Sequence, residues 1–241
     1  MTKSRIPETA SGIQGQDTVE LYDQMQRRLR DKGWIAISEL LEGGVDHGDV
    51  LEVGPGPGYL GLEWLSRTKG THLTGLDLSA DMIELARHNA TEYGLAERAG
   101  YVIGDAAGMP FDDEAFDAIF SSGSLHEWAD PIATLDEMWR TLRPGGTALV
   151  LDMRRDMVAP LRWFLWINAL PRQIRPWLLS SIRASYTAAE LRELIAGTGL
   201  SGAKVTTSAM DVALQVIKLA KPGQESGDGR SIGECEGGCD E

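Results

Sequence analysis

Between Val50 and Leu151, short and almost wholly apolar runs alternate with longer stretches of helical period, and this restricts the fold more than any other feature of the chain. Val50-Leu51-Glu52-Val53, Leu73-Thr74-Gly75-Leu76, Tyr101-Val102-Ile103, Ala118-Ile119-Phe120 and Ala148-Leu149-Val150-Leu151 read as strands. Helices are expected over Leu60–Arg67, Ala80–Tyr93 and Ile132–Leu142. Strands that are apolar in both directions must be covered on both faces, so the pattern predicts βαβ units and a parallel sheet with helices on each side. Right-handed crossovers then place any ligand site at the carboxyl ends of the strands. Two last strands, near Ala203–Thr207 and Val212–Leu219, complete a doubly wound, seven-stranded, mostly parallel α/β sheet.

Before the first strand, residues 1–16 are polar without an apolar period and are expected to be mobile. Asp17 is a plausible cap for a helix in which Val19, Leu21, Tyr22, Met25 and Leu29 recur at helical spacing, and Ile35–Leu41 follows as a second helix. The folded domain is expected over 17–221, with N-terminal helices in 17–44 and an insert in 153–185; a helix over Tyr186–Thr198 resumes the alternation. Residues 222–241 are Gly-rich and acidic and are expected to be disordered. No apolar segment suited to secretion follows Met1, and no apolar run is long enough to span a bilayer, so a cytoplasmic location is expected. Cys235 and Cys239 lie in the tail and supply no disulfide framework; two thiols do not complete a tetrahedral metal site, so no metal is assigned. The net charge of −13 opposes polyphosphate, and no nucleic-acid partner is expected. No pattern fixes an oligomeric state.

The first strand runs into Gly54-Pro55-Gly56-Pro57-Gly58, which lets backbone approach a ligand closely. A GxGxxG match exists at Gly56–Gly61, the signature of a dinucleotide site and hence of a nicotinamide-dependent oxidoreductase. Two features oppose that reading. In the register that starts where the strand ends, at Gly54, the third glycine position is Tyr59, and Pro55 and Pro57 offer no N–H to a pyrophosphate. Glu52 would repel a phosphate but suits an ammonium group. Asp77 at the second strand end can accept from both hydroxyls of a ribose, or merely cap the following helix. Asp105 at the third can accept from an adenine amino group, or serve as an ordinary turn residue. A cation, a ribose and an adenine together describe S-adenosylmethionine.

From Val50 to about Gly146 the chain resembles the class I S-adenosylmethionine-dependent methyltransferases, in particular the small-molecule branch that includes the ubiquinone and menaquinone biosynthesis C-methyltransferases. The resemblance rests on Leu51-Glu52-Val53-Gly54-Pro55-Gly56-Pro57-Gly58, Gly75-Leu76-Asp77-Leu78-Ser79 and Gly104-Asp105-Ala106. It continues through Phe116-Asp117-Ala118-Ile119 with Leu125-His126-Glu127-Trp128, and Leu142-Arg143-Pro144-Gly145-Gly146. It implies a Rossmann-like fold with a helical cap inserted after the fifth strand. It also implies that Gly54, Pro55, Gly56 and Gly58 line the methionine moiety and that Glu52 orients its ammonium group. Asp77 would hold the ribose, Leu78 and Met82 would flank the adenine, Asp105 and Ala106 would read its edge, and Ser121 and Ser122 would sit beneath the methionine chain. Met82 equally suits plain helix core.

The sulfonium methyl is already activated, so transfer needs positioning and a dry pocket, and a base only if the nucleophile keeps its proton. His126, just past the fourth strand, is the best base candidate, with simple packing as its alternative; Tyr22 would cover the cofactor or make a core contact. The insert holds Arg154, Arg155, Arg162, Arg172, Arg175 and Arg183 against Asp156 alone, with Trp163, Phe164, Trp166 and Trp177 among aliphatic residues. Three readings stand for it: aromatics turned to the core with solvated arginines, a pocket for a small or amphipathic acceptor with an anionic group, or contact with a membrane surface or partner. A non-catalytic S-adenosylmethionine-binding module whose cap meets a partner is the other functional reading.

Overall fold

In a computed structural model the chain is described over residues 4–7, 15–200 and 202–219. Most of the N-terminal segment expected to be mobile, and the acidic tail with Cys235 and Cys239, lie outside them. Two helices come first, α1 (Gln16–Asp31) and α2 (Ile37–Glu42), followed by β1 (Asp49–Val53), α3 (Tyr59–Arg67), β2 (His72–Asp77), α4 (Ala80–Glu92), β3 (Ala99–Ile103) and β4 (Phe116–Ser122). Then come α5 (Pro131–Thr141), β5 (Leu142–Met153), α6 (Ala159–Asn168), α7 (Arg175–Ala184), α8 (Ala188–Ile195), β6 (Lys204–Thr207) and β7 (Asp211–Ile217).

The seven strands form one sheet in the order β3-β2-β1-β4-β5-β7-β6. β1 through β5 pair in parallel, while β7 runs antiparallel to both β5 and β6. Strand order reverses between β1 and β4, so the loops after these two strands splay apart and leave a crevice at their carboxyl ends. Alternate β1 residues enter opposite layers. Leu51 and Val53 join Ile119, Leu135, Met138 and Val150 on one side of the sheet; Val50 joins Leu62, Trp64, Ile83 and Phe120 on the other.

Element boundaries depart from the expected ones where local chemistry overrides apolar period. Helix α1 begins at Gln16 behind Gly15, with Asp17 in its first turn rather than at the cap. Leu142, expected to end a helix, opens β5 and pairs with Phe116, since Pro144 two residues on cannot continue a helix. β5 runs through Met153, expected to begin the insert. Helix α8 starts only at Ala188, where Thr187 and Glu190 form a reciprocal capping box, leaving Tyr186 outside it.

The cap differs most. Its aromatics do not face the core: α6 has no buried residue at all, and Trp163 is 64% exposed. Nor are its arginines alike. Arg154 pairs with Asp156 at 2.7 Å, and buried Arg155 bridges the Ser185 carbonyl and Glu190, whereas Arg162, Arg172 and Arg183 are exposed.

Candidate functional site

Gly54, Gly56 and Gly58 all adopt positive φ (72°, 52° and 82°), a region that L side chains rarely enter, and so carry the chain from β1 into α3. Space is short as well: a Cβ at Gly58 would meet the Tyr101 hydroxyl at 2.8 Å, and one at Gly54 the Ser124 Oγ at 2.7 Å. The three glycine N–H groups are already committed. Gly54 donates to Leu76 O at 2.9 Å, Gly56 to Asp77 Oδ2 at 3.1 Å and Gly58 to Pro55 O at 2.9 Å. With Pro55 and Pro57 between them, the loop presents no row of donors to a pyrophosphate, which removes the physical basis of dinucleotide binding.

Asp77 is not the cap of α4; Ser79 is, its hydroxyl accepting from Met82 N at 3.2 Å. Asp77 instead ties two loops together, accepting from Gly56 N and from Ser79 N at 2.9 Å. Burial pushes its carboxyl up, against the lowering effect of those N–H groups. It opens onto a cavity of about 140 Å³ that Leu78, Met82, Asp105 and Ala106 also line. Met82 is buried, half-exposed Leu78 forms the outer wall, and Asp105 uses Oδ1 to cap the turn Ala106–Gly108 through Ala107 N at 2.9 Å. Asp105 is thus the turn residue expected as one alternative, and it also lines the cavity.

A second, larger cavity of about 1500 Å³ shares Tyr22, Gly54, Gly123 and Glu127 with the first. It extends from Glu52, Pro55 and Ser122 at the sheet edge to Phe164, Ile174 and Trp177 in the cap. Tyr22 stands at the junction, its ring 3.3 Å from where a Cβ of Gly56 would be, with its hydroxyl accepting from Gln26 Nε2 at 3.0 Å. Burial and the nearby carboxylates of Glu127, Asp77 and Asp152 raise the phenol, so it stays protonated. Ser121 and Gly58 line neither cavity. The Ser121 hydroxyl, fully buried, donates to Val53 O at 2.8 Å and joins the loops from below.

His126 is 4% exposed and borders the larger cavity. Its backbone N donates to Asp152 Oδ2 at 2.8 Å, and its Nδ1 lies 2.9 Å from both oxygens of the same carboxylate. The Asp152 side chain has no exposed surface. A buried carboxylate so placed holds the proton on Nδ1 and makes Nε2 the basic nitrogen. Asp152 is absent from the sequence reading, yet it follows the apolar run 148–151 as Asp77 follows the second strand, and the same strand-end logic identifies it.

Glu52 is 2% exposed. A Cβ at Gly61 would come within 2.2 Å of the Glu52 Oε2, so the third glycine of the GxGxxG match makes room for this side chain. Oε2 itself has no hydrogen-bond partner. Burial, reinforced by Asp77, pushes this carboxyl up to about 8. An orphaned, buried carboxylate oxygen beside a cavity fits a cationic ligand group, as the ammonium of S-adenosylmethionine requires.

Residues 51–150 match a family described as a methyltransferase domain. The chain is 32% identical over 149 residues to the demethylmenaquinone methyltransferase of Roseiflexus castenholzii, covering 61% of each protein. It is 29% identical over 176 residues to the ubiquinone/menaquinone biosynthesis C-methyltransferase UbiE of a Ruegeria species, covering 68% of this chain and 70% of that one. A solved methyltransferase from Aquifex aeolicus superposes with a TM-score of 0.62 at 19% identity, over 83% of this chain and 97% of that one, and so shares the fold. With its Rossmann-like sheet, its proline-interrupted glycine loop and its acidic strand ends, the chain carries over residues 51–150 a methyltransferase domain similar to that of the class I S-adenosylmethionine-dependent enzymes, which use S-adenosylmethionine as cofactor.

Proposed function

We propose that this chain methylates a small, quinone-related acceptor with an extended apolar body. The observation that carries this reading is the junction of the two cavities at Tyr22. The smaller one suits a nucleoside, with Asp77 on the ribose, Leu78 and Met82 against the adenine, and Asp105 and Ala106 at its edge. Glu52, Gly54, Pro55 and Gly56 take the amino-acid end. The larger cavity is left for the acceptor, and the aromatic walls Phe164 and Trp177 suit an apolar chain. The relatives that act on menaquinone and ubiquinone precursors, as their names state, support an acceptor of this class.

Bound there, S-adenosylmethionine supplies an electrophilic methyl group. Tyr22 covers it and keeps water out, while His126 Nε2 takes the proton released as the acceptor's nucleophilic atom gains the methyl. Asp152 stabilises the resulting imidazolium. The test is turnover to S-adenosylhomocysteine with hydroxylated quinols bearing isoprenoid chains of increasing length. Turnover with KM falling as the chain lengthens is the expected result. Tight cofactor binding without turnover on any acceptor would leave a binding module, and preference for chainless acceptors would remove the apolar role of the cap.

Glu52 gives this reading a pH signature. Its folded value near 8 lies above the usual carboxylate range, so the cofactor-free protein holds a proton that the unfolded chain releases above about pH 5. Stability is therefore expected to fall as pH rises from about 5 to about 8. Binding of an ammonium group favours the ionised form, so cofactor affinity rises over the upper part of that range and a proton leaves on binding. Calorimetric titration in buffers of different ionisation heat reads that proton. In Glu52→Gln the proton release disappears and the cofactor-free protein loses this part of its pH-dependent stability.

A further inference from the structure

Helix α6 ends its apolar sequence in water. Trp163, Trp166 and Ile167 stand at i, i+3 and i+4, and so on one face, and all three are exposed. Val158 just before the helix is 61% exposed. A cluster of this kind on a water-facing helix calls for a covering surface. The charge around it says which. Residues 157–188 contain Arg162, Arg172, Arg175 and Arg183 and no Asp or Glu, so they carry +4 while the rest of the chain carries −13 − 4 = −17. Among the described residues the ion pairs of the cap are Arg154–Asp156 and Arg155–Glu190; none involves Arg162, Arg172 or Arg183. The Arg175 guanidinium carbon lies 4.2 Å over the Trp166 ring and brings a cation to the edge of the apolar face.

From this combination we infer that the α6 face docks on the headgroup layer of an anionic lipid bilayer. Tryptophan prefers that layer, arginine is attracted to its phosphates, and the acidic remainder of the chain is repelled, so the molecule approaches cap first. A second copy fits less well, because a two-fold contact would set arginine against arginine. A nucleic acid would engage the arginines and leave Trp163, Val158 and Ile167 in water. The patch is also continuous with the larger cavity. Phe164 and Trp177 belong to both, and Trp34, 5.9 Å from Phe164 by ring centroids and covered by Lys32 at 4.3 Å, extends it across to the N-terminal helices. Docking in this orientation brings the cavity wall to the lipid.

The experiment is flotation of the full chain with vesicles of phosphatidylcholine alone and of phosphatidylcholine with phosphatidylglycerol, with tryptophan fluorescence and cofactor affinity measured on the same samples. Expected are binding to the mixed vesicles, a blue shift, and loss of both in high salt. Trp163→Asp abolishes binding, and each of Arg162→Glu and Arg172→Glu weakens it by at least about fivefold. All three positions lie outside both cavities, so cofactor affinity stays unchanged and docking is judged separately from the proposed reaction. No binding to mixed vesicles, equal and salt-insensitive binding to phosphatidylcholine alone, or a self-association that Trp163→Asp dissolves would each overturn the inference.

Discussion

Replacing Asp77 by Ala is expected to weaken S-adenosylmethionine binding by about 150-fold, or about 3 kcal/mol, the scale of losing charge-assisted hydrogen bonds to a pair of hydroxyls. The effect has two sources. One is the ribose contact proposed for the carboxylate. The other is internal, because Asp77 accepts from Gly56 N and Ser79 N and so fixes the glycine loop against the start of α4. Asp77→Asn separates them: an amide oxygen can still accept from one N–H and hold the loop, but it lacks the charge and the second acceptor. It should retain the wild-type thermal midpoint more nearly than Ala while still losing most of the affinity. Calorimetric titration with S-adenosylmethionine, S-adenosylhomocysteine and NADH decides the matter. The wild type should bind both sulfur ligands and not NADH. Full affinity in both variants would remove Asp77 from the site.

The sequence discloses the scaffold of this site far better than its occupants' surroundings. Strand ends are marked by an apolar run that stops at an acid, so Glu52, Asp77 and Asp105 could be placed at one edge of the sheet before any coordinates. The glycine loop was legible for the same reason: φ sign and backbone approach are written in residue type. Ser121 was not, since nothing in a serine at a strand end tells whether its hydroxyl faces a ligand or, as here, Val53 O. The same signal of an apolar run ended by an acid places Asp152 at that edge, but its role was not legible, because it depends on β5 lying beside β4, a pairing that brings it to a histidine 26 residues earlier. The cap shows the limit most clearly. Its composition is compatible with core, pocket or surface, and only the position of α6 at the periphery, set by long-range packing, separates Phe164 at a cavity wall from Trp163 in solvent.

Those two classes of residue meet in one functional arrangement. Glu52 is buried and Asp77 half-buried, both carboxyls are raised, and neither has a cationic side chain among the causes of its shift. A fold tolerates such groups where a ligand completes them. The cofactor end of the site is therefore electrostatically incomplete, whereas Asp117, Glu137 and Glu190 elsewhere are lowered with an arginine contributing to each shift. The contrast, which Asp211 on the wall of the larger cavity shares, supports a ligand-binding role for these carboxyls on grounds independent of family.

The second large effect is expected at His126. If Nε2 accepts the acceptor's proton, His126→Gln should lower kcat by about 10²- to 10⁴-fold, the usual range for loss of a positioned base, with cofactor affinity changed little. Loss of rate alone would not separate chemistry from packing, because His126 is 4% exposed and its removal leaves a hole beside Asp152. The pH profile does. At saturating S-adenosylmethionine, where Glu52 is already ionised by the bound ammonium group, kcat/KM for the acceptor should rise with pH through one ionisation and level off in the wild type; in His126→Gln that limb should vanish. Asp152→Asn supplies the positioning test. Its carboxylate contacts both the backbone N and Nδ1 of His126, so the amide keeps much of the shape while removing the charge that stabilises the imidazolium. The limb should then move to lower pH, and kcat should fall because the ring is no longer held in the tautomer that exposes a basic Nε2. A purely structural His126–Asp152 pair would leave the limb where it was in Asp152→Asn, and a kcat in His126→Gln within about threefold of wild type would exclude base catalysis here, since a positioned base contributes at least ~10²-fold.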